Sequence, residues 1–476
     1  MSHPKDCQGS QAVPLKRRDV LRQASTGFGL TALASLMADK AYAGLAGGAT
    51  HFAPKAKNVI FCFMPGGMSH VDTFDPKPKL AEMNGKKFDG FYQVGAKAET
   101  NRQWLGSPWQ FKQHGQSGVW VSELFPHIAK CVDEMAIVRS MVSGFPLHPR
   151  GNLLMHTGRN TGGFPSLGSW VNYALGSENK NLPGYVLLHA GAVPPGGLEN
   201  FSNGFLPATH QATAMHAEGK PVINIDAADK DPKIQRAKLD TLLQQDRQFL
   251  AAIGQDDGID AAIKNYEMAY TMQSVVPDVL NLDKESEATK KLYGVDGPER
   301  HQRNYSRQCL RARRLVEAGV RFVEITCPEV FGGDNGTWDQ HSDLKKGHEG
   351  NSLITDQGVA ALIQDLKSRG MLGETLVVWA TEFGRTPHGP KPDARDHHET
   401  AFTVWMAGGG MKGGTVYGAT DEVGMRAVEN VTEVHDLHAT ILHALGLDHK
   451  KLTYRFGGRD VSLTDVHGHV VRELLA

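Results

Sequence analysis

The feature that most constrains this chain is a series of short, unbroken apolar runs separated by longer amphipathic segments. Val59-Ile60-Phe61-Cys62-Phe63-Met64, within an apolar run over 57–64, shows no polar alternation. A strand there must be buried on both faces. Further strands are predicted at Ala136-Ile137-Val138, Tyr185-Val186-Leu187-Leu188, 320–326, Thr375-Leu376-Val377-Val378-Trp379 and Phe402-Thr403-Val404-Trp405-Met406. The clearer helical patterns between them cover 122–132, 166–176, 299–318, 355–370 and 435–446. This alternation specifies an α/β fold, with a mostly parallel sheet covered by helices on both faces. The runs at 57–64, 320–326, 375–380 and 402–406 are expected in one sheet. Residues 231–295 read instead as two or three successive helices, an α-helical insertion, and 190–220, rich in Gly and Asn, as loop at the sheet edge or site mouth.

Composition narrows the function. With 40% hydrophobic and 22% charged residues, the 476-residue chain can bury a large core. Its 51 Lys and Arg balance 52 Asp and Glu, and without a basic excess nucleic acid is not an expected partner. The 22 His are a large supply of metal ligands and proton carriers.

The first segment reads as an address. Lys16-Arg17-Arg18-Asp19-Val20-Leu21-Arg22 precedes an apolar stretch from Ala24 to Met37 and then Ala41-Tyr42-Ala43. That is the order of a signal peptide, and the paired arginines mark the twin-arginine type. The stretch is too short and too polar for a permanent membrane span. Residues 1–43 are therefore expected to be removed, with the twin-arginine translocation machinery as transient partner, a periplasmic or secreted location, and 44–476 as the folded domain. Export would permit disulfides, yet Cys62 and Cys327 lie in or beside strand-like runs and read as small buried residues.

In an open parallel sheet, ligands bind at the carboxyl ends of the strands. After the first run come His70, Asp72 and Asp75; after 320–326 come Asp334, Asp339 and His341; after 375–380 come Glu382 and Arg385; and before 402–406 stand Asp396 and His397. Carboxylates and imidazoles at neighbouring strand ends suit a divalent metal ion: zinc, iron or manganese. Taken singly, each is also a good loop or capping residue. Gly408-Gly409-Gly410-Met411-Lys412-Gly413 contains a G-x-G-x-x-G, but a turn and a further strand follow it where dinucleotide binding needs a helix.

Asn58 to Met64 with Gly66-Gly67, Asp72-Thr73-Phe74-Asp75-Pro76-Lys77-Pro78, the stretch His148 to Arg159, Thr381-Glu382-Phe383-Gly384-Arg385-Thr386-Pro387, Asp396-His397 and the closing Asp436 to Asp448 together resemble the twin-arginine-exported domain-of-unknown-function family 1501. That family is similar to a branch of the alkaline phosphatase and sulfatase superfamily. The resemblance implies a three-layer α/β/α sandwich and, in active members, hydrolysis of phosphate or sulfate esters at one or two metal ions. It implies Asp339, His341 and His397 as metal ligands, with Glu382 where an Asp-His pair follows a strand in the superfamily. The first-strand aspartate is replaced by Pro65-Gly66-Gly67, so Asp72 or His70 could substitute only by reaching back. His148-Pro149-Arg150 falls where sulfatases carry their modified cysteine, which leaves no formylglycine precursor. His148 is then expected as ligand, proton donor or phosphorylated nucleophile, and Arg385 as the cation on the ester oxygens.

Two classes of function remain open. One is a metal-dependent hydrolase of small-molecule or glycan phosphate or sulfate esters without formylglycine. The other is a degenerate member that binds an anionic ligand or glycan without chemistry.

Overall fold

The structure, a computed structural model, describes residues 49–476 apart from 91–92, 95–96, 99–100, 190–192, 219–221, 223–224, 228, 230, 255 and 329–337. The signal segment and Asp334 lie outside the described residues. The described residues form one unit.

Among the described residues the main sheet has nine strands: β1 (Asn58–Phe63), β2 (Met135–Val142), β3 (Tyr185–His189), β4 (Thr213–His216), β5 (Phe322–Thr326), β6 (Thr375–Ala380), β7 (Phe402–Gly408), β8 (Thr415–Tyr417) and β9 (Thr432–Glu433). Their order is β8-β2-β7-β6-β1-β5-β3-β4, with β9 also paired to β2. β1 is central and parallel to both neighbours, Val59 standing opposite Phe322 on β5 and Leu376 on β6. The four runs expected in one sheet are all there, but β7 runs antiparallel to β6 and to β2. The reason is the connection: a parallel return needs a crossover, usually a helix, and 381–401 contains none. That helix-free excursion carries most of the site.

Alternation along β1 makes the layers. Ile60, Cys62 and Met64 join one core cluster with Tyr305, Cys309, Leu310 and Leu315 of α6 (Arg300–Glu317) and Ile354, Val359 and Leu362 of α7 (Leu344–Ser368). Phe61 and Phe63 point the other way, to the ring of His156 on α1 (His148–Thr157), at centroid distances of 6.1 and 4.5 Å. On that face α2 (Leu167–Leu175) packs on β3 and β5, and Gly168 is required because a Cβ there would lie 2.6 Å from the Tyr185 ring. Between β4 and β5 run α3 (Pro232–Ile253), α4 (Asp257–Val279) and α5 (Glu287–Tyr293) ahead of α6. The last helix is α8 (Val434–Ala444). Cys62, Cys131, Cys309 and Cys327 are free and buried.

Three local expectations change. The helix expected at 122–132 is a hairpin strand, Val119–Ser122, followed by a 3-10 turn, Ile128–Glu134; Pro126 interrupts helical propagation, and the Asp356 carboxylate accepts the N–H groups of His127 and Ile128 at 2.8 and 2.7 Å. The helix expected from 355 begins at Leu344, because Gly347, His348 and Asn351 are buried without making an apolar pattern. The loop expected over 190–220 contains β4, an edge strand in which only Met215 is fully buried.

Gly168→Ala weighs helix propensity, a gain of about 1 kcal/mol, against overpacking, a cost of about 1–3 kcal/mol. Tyr185 cannot yield, since its hydroxyl donates to the buried Glu324 at 2.7 Å. A lower urea midpoint is expected; an unchanged or higher one would contradict the packing described.

Candidate metal centre

The site is assembled at the carboxyl ends of β1, β5 and β6. After β1 the chain turns through Gly66 and Gly67 at φ of 110° and 78°, and a Cβ at Gly67 would lie 2.8 Å from the Phe383 ring. This turn aims two carbonyls at Arg385, whose Nε donates to Gly67 at 2.9 Å while its guanidinium also reaches the Gly66 carbonyl. The loop after β5 is tied to the same turn, Trp338 N–H donating to the Pro65 carbonyl at 3.0 Å. After β6, Gly384–Arg385 pairs antiparallel with His397–His398, which places His397 opposite Arg385. The fourth contribution is His148, the first residue of α1, with Pro149 pre-set for the helical turn.

These elements converge on the Asp339 carboxylate. His341 Nε2 lies 3.0 Å and His397 Nε2 3.3 Å from Oδ1, while His148 Nε2 lies 3.1 Å from Oδ2. The Nε2 atoms of His341 and His397 are 3.0 Å apart. Each imidazole is held from behind through Nδ1: His148 by Glu382 Oε1 at 2.6 Å, His341 by Asp396 Oδ1 at 2.9 Å, His397 by the Pro146 carbonyl at 2.6 Å. A ring that donates from Nδ1 presents a lone pair at Nε2, the arrangement by which protein ligands are oriented toward a metal ion. His148, Asp339 and His397 offer ligand atoms within 4.8 Å of one another, and His341 adjoins two of them. The separations of 3.0–3.3 Å between Asp339 and the imidazoles lie within the span of about 4 Å that two ligands of one ion can have at bonds of about 2.0–2.1 Å. The buried His148 Nε2 faces Asp339 Oδ2 in the interior of the cluster, so a cation fits the donor set. His341 is 32% exposed and His397 18%, which leaves the cluster open to solvent on one side.

The electrostatics agree. Burial would raise the Asp339 carboxyl, but hydrogen bonds from His148, His341 and His397 and the charge of Arg385 hold it far below the usual carboxylate range. His341 is pushed up to about 9 by its bonds to Asp339 and Asp396. For His148, burial acts downward and is outweighed by its bonds to Asp339 and Glu382. Burial pulls His397 below its ordinary value. The surroundings therefore stabilise positive charge among the Nε2 atoms, whether a proton or a metal ion brings it.

Several residues singled out from the sequence take other places. Arg385 is fully buried, bound to Asp339 at 2.5 Å and to the Gly66, Gly67 and Arg395 carbonyls, so its guanidinium is committed to the Asp339 carboxylate and the backbone around it. Glu382, expected among the ligands, spends one oxygen on His148 and the Gly66 N–H (2.8 Å) and the other on Thr381 (3.1 Å), so it holds the His148 ring from behind. Asp396 does the same for His341, its other oxygen bound by Arg102 at 2.5 Å. Asp72 and His70 do not reach back. Asp72 is locked to Arg395 at 2.7 and 3.1 Å and to Ser69, while His70 bonds the Gly424 carbonyl at 2.9 Å and stacks on His398. The short helix His70–Thr73 turns both side chains into the core. The sequence gives no signal for Arg102, Arg395 and the Pro146 carbonyl as supports of the site, because their partners lie far off in the chain or they are backbone atoms.

The Asp72–Arg395 pair has no exposed side-chain surface. Asp72→Ala strands a buried guanidinium and is expected to cost about 3–5 kcal/mol in denaturant unfolding. A loss below about 1 kcal/mol, the scale of an exposed pair, would contradict this role.

Comparison with known proteins places the chain. The family described as "Protein of unknown function (DUF1501)" matches over residues 56–475. No curated protein matches the sequence. Among solved structures, the chain is similar to the PsFucS1 sulfatase from Pseudoalteromonas sp. at 14% identity, over 88% of this chain and 72% of that one, with a TM-score of 0.40. It is similar to a 2-O GAG sulfatase, BT1596, at 10% identity over 88% and 74%, TM-score 0.37. A phosphonate monoester hydrolase from Silicibacter pomeroyi matches at 14% identity over 74% and 71%, TM-score 0.34. On the match spanning nearly every residue after the first 55, the chain belongs to the DUF1501 family.

Proposed function

We infer that this protein is a metal-dependent hydrolase of phosphate or sulfate esters that works outside the cytoplasm after twin-arginine export, with 1–43 as its signal peptide. The observation that carries the reading is the convergence of three back-bonded imidazoles on one buried carboxylate. His148, Asp339, His341 and His397 would hold a divalent ion of the zinc, iron or manganese class. Such an ion supplies Lewis acidity and a nucleophile drawn from water near neutral pH. This suits a chain with His148 where sulfatases carry the modified cysteine.

The protein's own groups divide the work. Asp339, fixed by Arg385, keeps its carboxylate ionised. Asp396 and the Pro146 carbonyl set the tautomers of His341 and His397, the two rings that face solvent. Glu382 sets that of His148. His148 also begins α1, and the positive end of that helix favours an anionic ester. Arg150, exposed on the first turn of the same helix, supplies a cation that the buried Arg385 cannot. Among the described residues no helix is long and apolar enough to cross a membrane.

One observation favours the second reading, binding of an anionic ligand or glycan without turnover: Arg385 is not free to stabilise transferred charge. The two readings differ in outcome. The hydrolase reading expects metal-loaded protein to hydrolyse p-nitrophenyl phosphate or sulfate and His397→Ala to fall to background. It also expects Glu382→Ala to weaken metal binding by about 10–100-fold, as loss of an orienting partner does. Full metal occupancy with no turnover of either ester, and unchanged anion binding in His397→Ala, would favour the binding reading.

A further inference from the structure

A second group of ligand-type side chains lies away from the centre described above. Glu433, His435 and His467 offer donor atoms within 4.8 Å of one another. They come from two parts of the chain, the start of α8 and the loop near the carboxyl terminus; the loop approaches the end of α1 through its backbone, and the start of α8 approaches that loop. Gly158, the left-handed C-cap of α1, lies so close to the Leu463 carbonyl that a Cβ would stand 2.4 Å from it. A Cβ on Gly468 would stand 2.9 Å from the His435 carbonyl. Backbone approaches this tight admit only glycine, and they fix the donors' attachment points.

The side chains are oriented as well. His435 bonds the Gly158 carbonyl through Nε2 at 2.9 Å, so that nitrogen carries the hydrogen and Nδ1 presents its lone pair. Nδ1 faces Glu433 Oε2 at 3.9 Å. Glu433 is the N-cap of α8, its backbone N–H donating to Asp436 Oδ2 at 2.8 Å. The His467 ring lies 4.8 Å from that of His435, and its backbone is set by a turn, its N–H donating to the Thr464 carbonyl at 2.9 Å. Burial lowers the pKa of His435. The neighbouring Arg159 is paired with Asp465 at 2.8 Å.

We propose that Glu433, His435 and His467 form a second cation site, of the two-imidazole, one-carboxylate type that takes Zn2+ or a neighbouring first-row divalent ion. Ligand atoms on one such ion stand at most about 4 Å apart. The solvent-exposed His467 ring closes the remaining gap by side-chain rotation. The position of the site gives it a structural role, since it ties α8 and the terminal loop to the last turn of α1, the helix whose first residue is His148. That is roughly 15 Å along the helix axis. A cation there braces the ligand-bearing helix from behind, independently of what the first centre does.

The test uses the full chain with the first centre disabled by His397→Ala. After chelation and dialysis, Zn2+ alone is titrated into His397→Ala and into the double variant His397→Ala/His467→Ala, with circular dichroism to confirm that both are folded. The proposal expects His397→Ala to bind zinc and to melt at a higher temperature with it. The double variant should bind at least tenfold more weakly and show no zinc-dependent rise. Equal zinc affinity in the two proteins, or no binding by His397→Ala, overturns the site.

Discussion

The hydrogen bonds behind the imidazoles are the constraint on which the rest of the site depends. Three rings that donate from Nδ1 to Glu382, Asp396 and the Pro146 carbonyl must turn their Nε2 atoms inward. Three nitrogen lone pairs and a carboxylate at 3.0–3.3 Å repel one another unless positive charge lies among them. The fold thus favours positive charge inside the cluster, a proton or a metal ion, by bonding the rings from the outside. Its cost is concentrated burial of charge, which is stable only where each group is paired and bonded.

Such pairing extends around the site. Arg385 bridges Asp339 and the Gly66-Gly67 turn, Arg102 holds Asp396, and Arg395 holds Asp72. Each arginine joins one segment of the site to another, tying the Gly66-Gly67 turn, Asp339 and Asp396 into their places without a helix between β6 and β7. The reversed direction of β7 follows from the same fact. The helix-free stretch 381–401 returns directly along the sheet and leaves its residues at the site instead of on the outer layer.

Much of this is legible in the sequence. Continuous apolar runs identify the central strands, because strands buried on both faces cannot alternate. The rule that ligands collect at strand ends then selects Asp339, His341, Asp396 and His397, all of which meet. The resemblance to family 1501 supplies His148. Direction is what cannot be read. Arg385 and Glu382 follow a strand as a substrate-facing pair would, yet both turn under the cluster, a choice made by the Gly66 and Gly67 backbone more than three hundred residues earlier. Asp72 and His70 look able to reach back, but their buried partners, Arg395 and the Gly424 carbonyl, come from the last fifth of the chain. The antiparallel β7 is within reach, since 381–401 shows no helical periodicity, whereas the edge strand β4 carries too little apolar residue to announce itself.

The central claim is that the inward-facing nitrogens and Asp339 bind one metal ion directly. X-ray absorption at the zinc edge of the His467→Ala protein, loaded with one zinc ion, reads that coordination without interference from the second cation site. The account predicts a four- or five-coordinate shell with imidazole scattering and nitrogen or oxygen neighbours at about 2.0–2.1 Å. That imidazole scattering should diminish in His397→Ala with His467→Ala. A shell of water oxygens alone, or a spectrum unchanged by loss of His397, would contradict it.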